Sequence, residues 1–499
     1  MHLKTSRLHF MGIGGQGISA VAQMALLAGN IVTGCDQQRS ATTQAMQQAG
    51  MPVCIGHDAS HLENVDTLVL SPAVTARNPH NPELLAAQER GIPVVTWQEL
   101  LGEFMQGKCV LSVCGVHGKG TTTALLALML VDAGLDPTVE IGAVVPRFGA
   151  NYRLGHSQYF VNEADEFNHN FWHYSPRLAV VTSIEFEHPE FFADYAALLE
   201  AFEHFIRGMD MQHDWPLPPT LVLNAGSAGC LHLLRRLHDW PGRLVSYSVE
   251  DTLLHGGASN PTSIVRNANT VTFEAYDVQL DGETSFRVRV NGQPLVERAM
   301  RLQLPGIHNI QNALAALAAA HTVGASAETI VRTVEQFSGI RRRFEIRHQG
   351  ALHINERVLD VIIIDDYAHH PTAIAATLQA ARRCYPQRRL IALYQPHMYS
   401  RTKTFFTQFL CAFDAADVAL ISDIFAARER DTGLVHTRDL VEAMAQQPHF
   451  RQGGAQVLYG ADLQTTADVL STILRSGDLV VIMGAGDIYT VTVSILGSS

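Results

Sequence analysis

The chain is poor in cysteine and shows no pairing pattern among the few it has. Seven cysteines, at positions 35, 54, 109, 114, 230, 384 and 411, are odd in number, scattered, and never spaced as C-x-x-C. That argues against a disulfide framework and against a zinc site, and it fits a reducing cytoplasm. No apolar run approaches the roughly 18 residues of a membrane span, and no charged-then-apolar leader precedes the first apolar strand, so neither secretion nor a membrane span is expected. Low-complexity tracts are absent. Positive charge is scarce: 36 Lys and Arg against 48 Asp and Glu leave a formal charge of −12, which argues against non-specific binding to nucleic acid or to an anionic membrane. An anionic ligand must then be met by local basic groups. At 499 residues the chain is too long for one core, and roughly two to four domains are expected.

What is there centres on Gly115-Val116-His117-Gly118-Lys119-Gly120-Thr121-Thr122-Thr123. It follows the apolar run Val110-Leu111-Ser112-Val113 and precedes Ala124-Leu125-Leu126-Ala127. The order strand, glycine turn, helix points backbone N–H groups and the positive end of a helix at one spot suited to a polyphosphate. Lys119 would reach the outer phosphates, and a following threonine hydroxyl would take a Mg²⁺ position. The spacing is a shortened G-x-x-G-K. Three threonines, poor helix formers, would otherwise be wasted on a first turn.

Three segments follow from the patterning. Residues 1–106 alternate short strands with helical stretches. Leu8-His9-Phe10-Met11 leads into Gly12-Ile13-Gly14-Gly15-Gln16-Gly17, a helical run over 18–28, and a strand Ile31-Val32-Thr33-Gly34-Cys35 ending at Asp36. That is the order of a nucleotide-binding βαβ unit, with the acid about twenty residues beyond the glycines. Residues 107–337 open with the phosphate loop and continue through strands Leu178-Ala179-Val180-Val181 and Leu221-Val222-Leu223. Alternating stretches around 270–273 and 286–290, with turn signals Asp281-Gly282 and Asn291-Gly292, read as a β meander. An alanine-rich helix follows from 308 to about 321. Residues 338–499 hold four continuous apolar strands with helices between, which fits a parallel sheet covered on both faces. The polar clusters Asp365-Asp366-Tyr367-Ala368-His369-His370 and Gln395-Pro396-His397 fall beyond strand ends, where such sheets bind ligands.

Further constellations cluster around the same theme. Glu163-Ala164-Asp165-Glu166 follows a short strand, and three acids so close are costly unless solvated or neutralised by a cation; one or two would suit a divalent metal beside a triphosphate. An exposed acidic loop is the plain alternative. Ile184-Glu185-Phe186-Glu187-His188 again ends an apolar run with acids and a histidine. Asn309 and Asn312 share a helix face and could bond an adenine edge, although Asn309 could also cap the helix. Arg341-Arg342-Arg343 is the densest basic run, either an exposed face or a phosphate-handling group.

Taken jointly, these stretches resemble the Mur ligases, the ATP-dependent amino-acid ligases of peptidoglycan precursor synthesis, over essentially the whole chain. The resemblance rests on the turn from Gly12, Gly34-Cys35-Asp36, Ser71-Pro72-Ala73-Val74, Asn81-Pro82-Glu83, the phosphate loop, Glu163 to Glu166, and Ile184 to His188. It continues through Pro305-Gly306-Ile307-His308-Asn309, Arg342-Arg343-Phe344, Asp365 to Pro371 and Gln395-Pro396-His397. It implies an α/β chain of three domains: an N-terminal Rossmann-like UDP-binding domain, a central P-loop ATPase with an added β meander, and a C-terminal Rossmann-like domain that brings the amino acid. Within the family the alanine-adding branch is the nearest, which implies ligation of L-alanine to UDP-N-acetylmuramate with ATP and Mg²⁺, in the cytoplasm; a homodimer is compatible with it.

Carried over by motif, residues Gly115, Val116, His117, Gly118, Lys119, Gly120, Thr121 and Thr122 would cradle ATP. Asn309, Asn312, Arg342, Arg343 and Asp366 would serve its adenosine and phosphates. Thr121, Glu163 and His188 would hold the metal. Gly12, Gly14, Gly15, Gly17, Asp36, Ser71, Asn151 and Arg153 would bind the UDP-sugar, and His369, His370 and Arg401 would line the amino-acid region with Lys119. Two departures stand out. Gly120 replaces the usual Thr or Ser after the loop lysine, which moves the metal hydroxyl to Thr121. Met398 stands where many members carry an arginine, leaving Arg401 to meet the incoming carboxylate. Two other readings compete: a recycling ligase that adds a ready-made tripeptide to UDP-N-acetylmuramate, and a catalytically silent Mur-like scaffold. A Rossmann oxidoreductase would leave the phosphate loop unexplained.

Overall fold

A computed structural model describes residues 6–250, 270–354 and 356–497. Three sheets follow one another along the chain. The first comprises β1 (Arg7–Met11), β2 (Ile31–Asp36), β3 (Val53–Ile55), β4 (Thr67–Leu70) and β5 (Val94–Thr96), all parallel in the order β3-β2-β1-β4-β5. Strand alternation divides its faces. Leu8 and Phe10 pack with Val21 and Ala22 of the helix Gln16–Leu27, whereas Met11 and Cys35 pack with Leu68, Leu70 and Ala86 on the other side. Gly15 caps that first helix without a side-chain bond, so its leading N–H groups stay available to an anion.

The second sheet has eleven strands: β6 (Cys109–Cys114), β7 (Thr138–Val145), β8 (Ala150–Arg153), β9 (Tyr159–Glu163), β10 (Leu178–Val181), β11 (Thr220–Asn224), β12 (Arg243–Val249), β13 (Val271–Gln279), β14 (Thr284–Val290), β15 (Gln293–Pro294) and β16 (Met300–Leu302). The path is β15-β14-β13-β12-β11-β10-β6-β9-β7-β8, with β16 on β14. The stretch from β7 through β9, β6 and β10 to β13 is parallel. The expected meander is fused onto it: β13 turns at Asp281-Gly282, where Gly282 has φ 82, and runs back as β14. The phosphate-loop helix Lys119–Asp132 and the alanine-rich helix Ile307–Val323 pack on one face in a common core. The run of alanines lets the two helices approach closely.

The third sheet comprises β17 (Glu345–Ile354), β18 (Arg357–Asp366), β19 (Arg389–Tyr394), β20 (Val418–Ser422), β21 (Gln456–Ala461) and β22 (Asp478–Met483), ordered β17-β18-β22-β19-β20-β21. The four expected strands β18, β19, β20 and β22 are parallel, and β21, not read from the sequence, joins them in parallel. β17 corrects the purely parallel reading: it pairs antiparallel with β18 at the sheet edge. A second difference lies after β10, which ends at Val181, so that 182–188 is irregular backbone and not a strand end. That freedom lets Glu185, Glu187 and His188 turn toward different partners.

Candidate nucleotide and ligation site

The phosphate loop leaves β6 with Gly115 at φ 123 and enters its helix through Gly118 at φ 81, backbone conformations that favour glycine. A Cβ on Gly118 would collide with the Asn312 amide oxygen, so the loop and the alanine-rich helix are in direct apposition. The Val116 N–H donates to the Ser183 carbonyl at 2.9 Å, and the His117 N–H to Ser183 Oγ at 3.0 Å. Lys119 curls back onto the loop: Nζ donates to the Gly115 carbonyl at 2.7 Å and to Glu166 Oε2 at 2.8 Å. Burial alone would depress this ammonium, but Glu166 outweighs it and the Lys119 pKa is raised. Lys119 is therefore a fixed positive charge.

Thr121 and Thr122 are buried in the first helical turn. Thr122 Oγ1 faces the Asn312 carbonyl at 3.5 Å. A side chain on Gly120 would point between Glu163 and Ile340; that space carries no hydroxyl here. Glu163, the last residue of β9, accepts the Gly142 N–H at 2.9 Å. The cation-binding geometry gathers a neighbouring set, because ligand atoms of Asp165, Glu166 and His188 all lie within 4.8 Å of one another. The sequence singled out Glu163 and His188; Asp165 and Glu166 were visible in the same acidic run but not separated from it. Burial would hold His188 neutral, but Glu190, bonded to Nδ1 at 3.1 Å, with Glu187 and Glu166, raises its pKa.

The third sheet closes over this region. His117 Nε2 lies against a Glu185 carboxylate oxygen, the His370 ring is tilted against that of His117 with centroids 5.1 Å apart, and Thr372 Oγ1 donates to Glu185 at 3.0 Å. His370 is buried and lies 4.0 Å from both Glu185 and Glu187. Burial pulls its pKa down despite those acids, as it does that of His369, so both rings are neutral. Arg401 differs from the expected open fork. It is 2% exposed, and Nε and Nη2 both donate to Glu187 Oε1, at 2.8 and 2.5 Å. Its Nη1 donates to His397 Nδ1 at 2.9 Å. A buried guanidinium needs a partner, and Glu187 supplies it. Met398 is fully buried with its sulfur 4.0 Å from Arg401 Nη1, so it supports that arginine and lines no open pocket.

The alanine-rich helix is capped by Gly306, not by Asn309. Asn309 Nδ2 instead donates to the Pro305 carbonyl at 2.8 Å, and Asn312 Nδ2 to Asn309 Oδ1 at 3.3 Å. Asp366 accepts the Phe344 and Ala368 N–H groups, both at 2.7 Å, and thereby joins the arginine turn to the His369-His370 loop. Arg342 donates to the Gly484 carbonyl at 2.6 Å and lies over Tyr367 and Tyr489. Arg343 also lies over Tyr367. Arg342 and Arg343 are thus packed against tyrosines, while Arg341 is exposed.

In the first sheet, the Gly12 N–H donates to the Cys35 carbonyl at 2.8 Å and the Gly14 N–H to Asp36 Oδ2 at 2.8 Å. Side chains on Gly12, Gly14 and Gly17 would strike Val74, Asp36 and Trp97. Ser71 abuts Gly12. From the second sheet, Asn151 Nδ2 donates to the Gln16 carbonyl at 3.0 Å, beside the Gly15 helix start. Arg153 is turned elsewhere, paired with Asp136 and donating to the Pro137 carbonyl at 2.7 Å.

Comparison with known proteins decides the family. The Mur ligase family catalytic-domain model matches residues 7–108, the Mur ligase middle domain 113–320, and the Mur ligase glutamate ligase domain 342–486. The chain belongs to the Mur ligase family. Relatives within that family include the UDP-N-acetylmuramate–L-alanine ligases of Caldanaerobacter subterraneus, 35% identical over 98% of this chain and 96% of that one, and of Oleidesulfovibrio alaskensis, 36% identical over 98% of each. Among solved Mur ligase structures, the UDP-N-acetylmuramate-alanine ligase of Thermotoga maritima shares the fold at TM-score 0.76 and 24% identity, covering 99% and 98% of the two chains. A murein peptide ligase from Psychrobacter arcticus aligns at TM-score 0.68 and 25% identity over the same shares.

Two residues of this Mur ligase site escaped the sequence. Glu190 binds His188 and pairs with Arg428, which also lies over Phe167. Neither carries a motif; only the fold brings them 238 residues together.

Proposed function

We propose that this chain joins L-alanine to UDP-N-acetylmuramate with ATP, through an acyl phosphate, as a step of peptidoglycan precursor synthesis. The observation that carries the reading is the phosphate loop itself, with the protonated Lys119 against buried acids on one side and the neutral His370 on the other. The full-length likeness to alanine ligases supports the choice of amino acid.

In the first step a carboxylate oxygen of the sugar attacks the γ-phosphorus, the bond to the bridging oxygen breaks, and ADP leaves. The amine of alanine then attacks the acyl carbon, the carbon–oxygen bond to phosphate breaks, and inorganic phosphate leaves as the nitrogen gives up a proton. Both steps concentrate negative charge where Lys119 and the loop N–H groups point. Lys119 leaves Glu166 for the phosphates when ATP enters. His370 is buried and neutral and accepts the Thr372 N–H at Nδ1 at 3.3 Å, so its Nε2 carries the hydrogen. His369, neutral and donating Nδ1–H to the Tyr367 carbonyl at 3.0 Å, keeps a lone pair on Nε2 and is the group to take the amine proton. Asp165, Glu166 and His188 suit Mg²⁺, since hard carboxylate oxygens converge beside the loop; Glu163 and Thr121 line the same wall. Bound there, Mg²⁺ would neutralise phosphate oxygens. Arg401 orders Glu187 and the His397 loop around the amine.

The Gly12–Gly17 turn with Asp36, Ser71 and Asn151 would take the UDP-sugar, and Asn309, Asn312, Arg342, Arg343 and Asp366 frame the adenosine. These roles divide the chain into UDP-sugar, ATP and amino-acid domains at about the 106 and 337 boundaries read from the sequence patterning. No helix among the described residues is long and apolar enough to cross a membrane; the substrates of the proposed reaction are those of the cytoplasm. The test is phosphate release with UDP-N-acetylmuramate and ATP against a panel of amino acids and the tripeptide. Alanine should support the highest kcat/KM. Turnover with the tripeptide and none with alanine would reassign the chain to the recycling reaction, and no co-substrate-dependent turnover would leave a binding protein.

A further inference from the structure

Away from the nucleotide site, four side chains from four separate elements converge beneath the first sheet: His9 of β1, Cys35 of β2, His61 of the single turn Ala59–Leu62, and Glu83 at the start of the helix Pro82–Arg90. One ligand atom from each lies within 4.8 Å of all the others. Cys35 Sγ is 3.2 and 3.1 Å from the two Glu83 oxygens, His61 Nδ1 is 2.8 Å from Oε1, and His9 Nε2 is 3.5 Å from Oε2. Four ligands at zinc bond lengths around a tetrahedral ion stand about 3.3–3.6 Å apart, so small adjustments suffice. His9, Cys35 and Glu83 are buried.

A second observation points the same way. His9 Nε2 is buried with no hydrogen-bond partner, while its other nitrogen, Nδ1, lies 2.8 Å from Thr33 Oγ1. In the tautomer whose Nδ1–H donates to that hydroxyl, Nε2 presents a lone pair to a carboxylate, an arrangement that a cation between them resolves. A metal-bound histidine rests its other ring N–H on a second-sphere acceptor, and Thr33 Oγ1 is placed to be one. Glu83 alone cannot satisfy the set, because its oxygens also meet the Asp58 N–H at 3.2 Å and His57 Nδ1 at 3.4 Å.

We propose that His9, Cys35, His61 and Glu83 bind a zinc ion that pins β1, β2, the Ala59–Leu62 turn and the Pro82–Arg90 helix together behind the glycine turn. A thiolate, two imidazoles and a carboxylate form a closed donor set suited to Zn²⁺. The scattered cysteines argued against zinc because no two ligands share a motif; the ligands are contributed singly by the fold. The ion sits on the opposite face from the helix Gln16–Leu27, next to Asp36, whose carboxylate holds the Gly14 N–H.

The test uses the full-length protein loaded with Co²⁺ and, separately, with Zn²⁺, then freed of loose metal. Cobalt should give a thiolate-to-metal charge-transfer band, a signature that neither carboxylate–histidine cluster at the nucleotide site can produce, and about one zinc per chain should be retained by this site. Cys35→Ser should abolish the band and that equivalent, His61→Ala should do the same, and Thr33→Val should weaken retention about 10–100-fold. The absence of a charge-transfer band in the wild-type protein, or its persistence in Cys35→Ser, overturns the proposal. Should Cys35→Ser not fold, the wild-type cobalt spectrum together with Thr33→Val decides.

Discussion

Lys119 and Arg401 are cations of the site that each meet a buried acid, Glu166 and Glu187. Lys119→Ala should lower ligation about 10²–10³-fold or more, since it removes charge stabilisation that strengthens in the transition state; phosphate release at saturating ATP measures it. Arg401→Ala strands Glu187, a carboxylate held well below its ordinary range, against its burial, by Arg401. It should cost about 3–5 kcal/mol of stability, read from urea unfolding, besides raising the alanine KM more than the ATP KM. A change in alanine KM with unchanged stability would instead mean that Arg401 is free to serve the substrate alone. Lys119 was legible because a glycine loop has few other uses for a lysine. The engagement of Arg401 was not, because its partner lies 214 residues away and no local pattern records which acid a buried guanidinium will meet. Met398 was noticed as a departure, but its burial, and so its role under Arg401, belongs to the tertiary structure.

Elements were legible in proportion to how strongly one periodicity ruled them. β1 and β2 of the first sheet and the alanine-rich helix emerged within one or two residues of where patterning set them; β3, a three-residue strand, was not read. β17 did not, because its polar, half-exposed alternation at a sheet edge looks like loop. Where loop meets helix, Gly118→Ala should raise the ATP KM and destabilise by about 1–2 kcal/mol, since it forces a side chain to positive φ and onto Asn312; nucleotide titration and thermal melting check both. The histidines at element ends predict a pH dependence. Burial, with Arg401 adjacent, takes His397 down to about 3, and burial takes His308 down to about 4. Unfolded histidine titrates near 6.5. Below that value the unfolded chain takes up protons that the folded chain refuses, so this contribution is full above 6.5 and lost as pH falls through 4 toward 3. The urea midpoint should drop from about pH 7 to about pH 5, and less steeply in His308→Asn.

At the scale of the whole molecule, the second and third sheets meet through three acids of one irregular segment: Glu185 with Thr372, Glu187 with Arg401, and Glu190 with Arg428. The segment that lines the phosphate loop is thus the one that holds the C-terminal domain. The three-domain plan was readable from motif order, whereas this junction was not, since each half of every pair lies in a different domain. The central claim is that these parts activate a sugar carboxylate as an acyl phosphate and pass it to alanine. Its most direct test is to supply UDP-N-acetylmuramate labelled in the carboxylate with the heavy oxygen isotope, together with ATP and L-alanine. The account predicts alanine-dependent product with one labelled oxygen transferred to each inorganic phosphate released; product whose phosphate carries no label, or phosphate release independent of alanine, would contradict it.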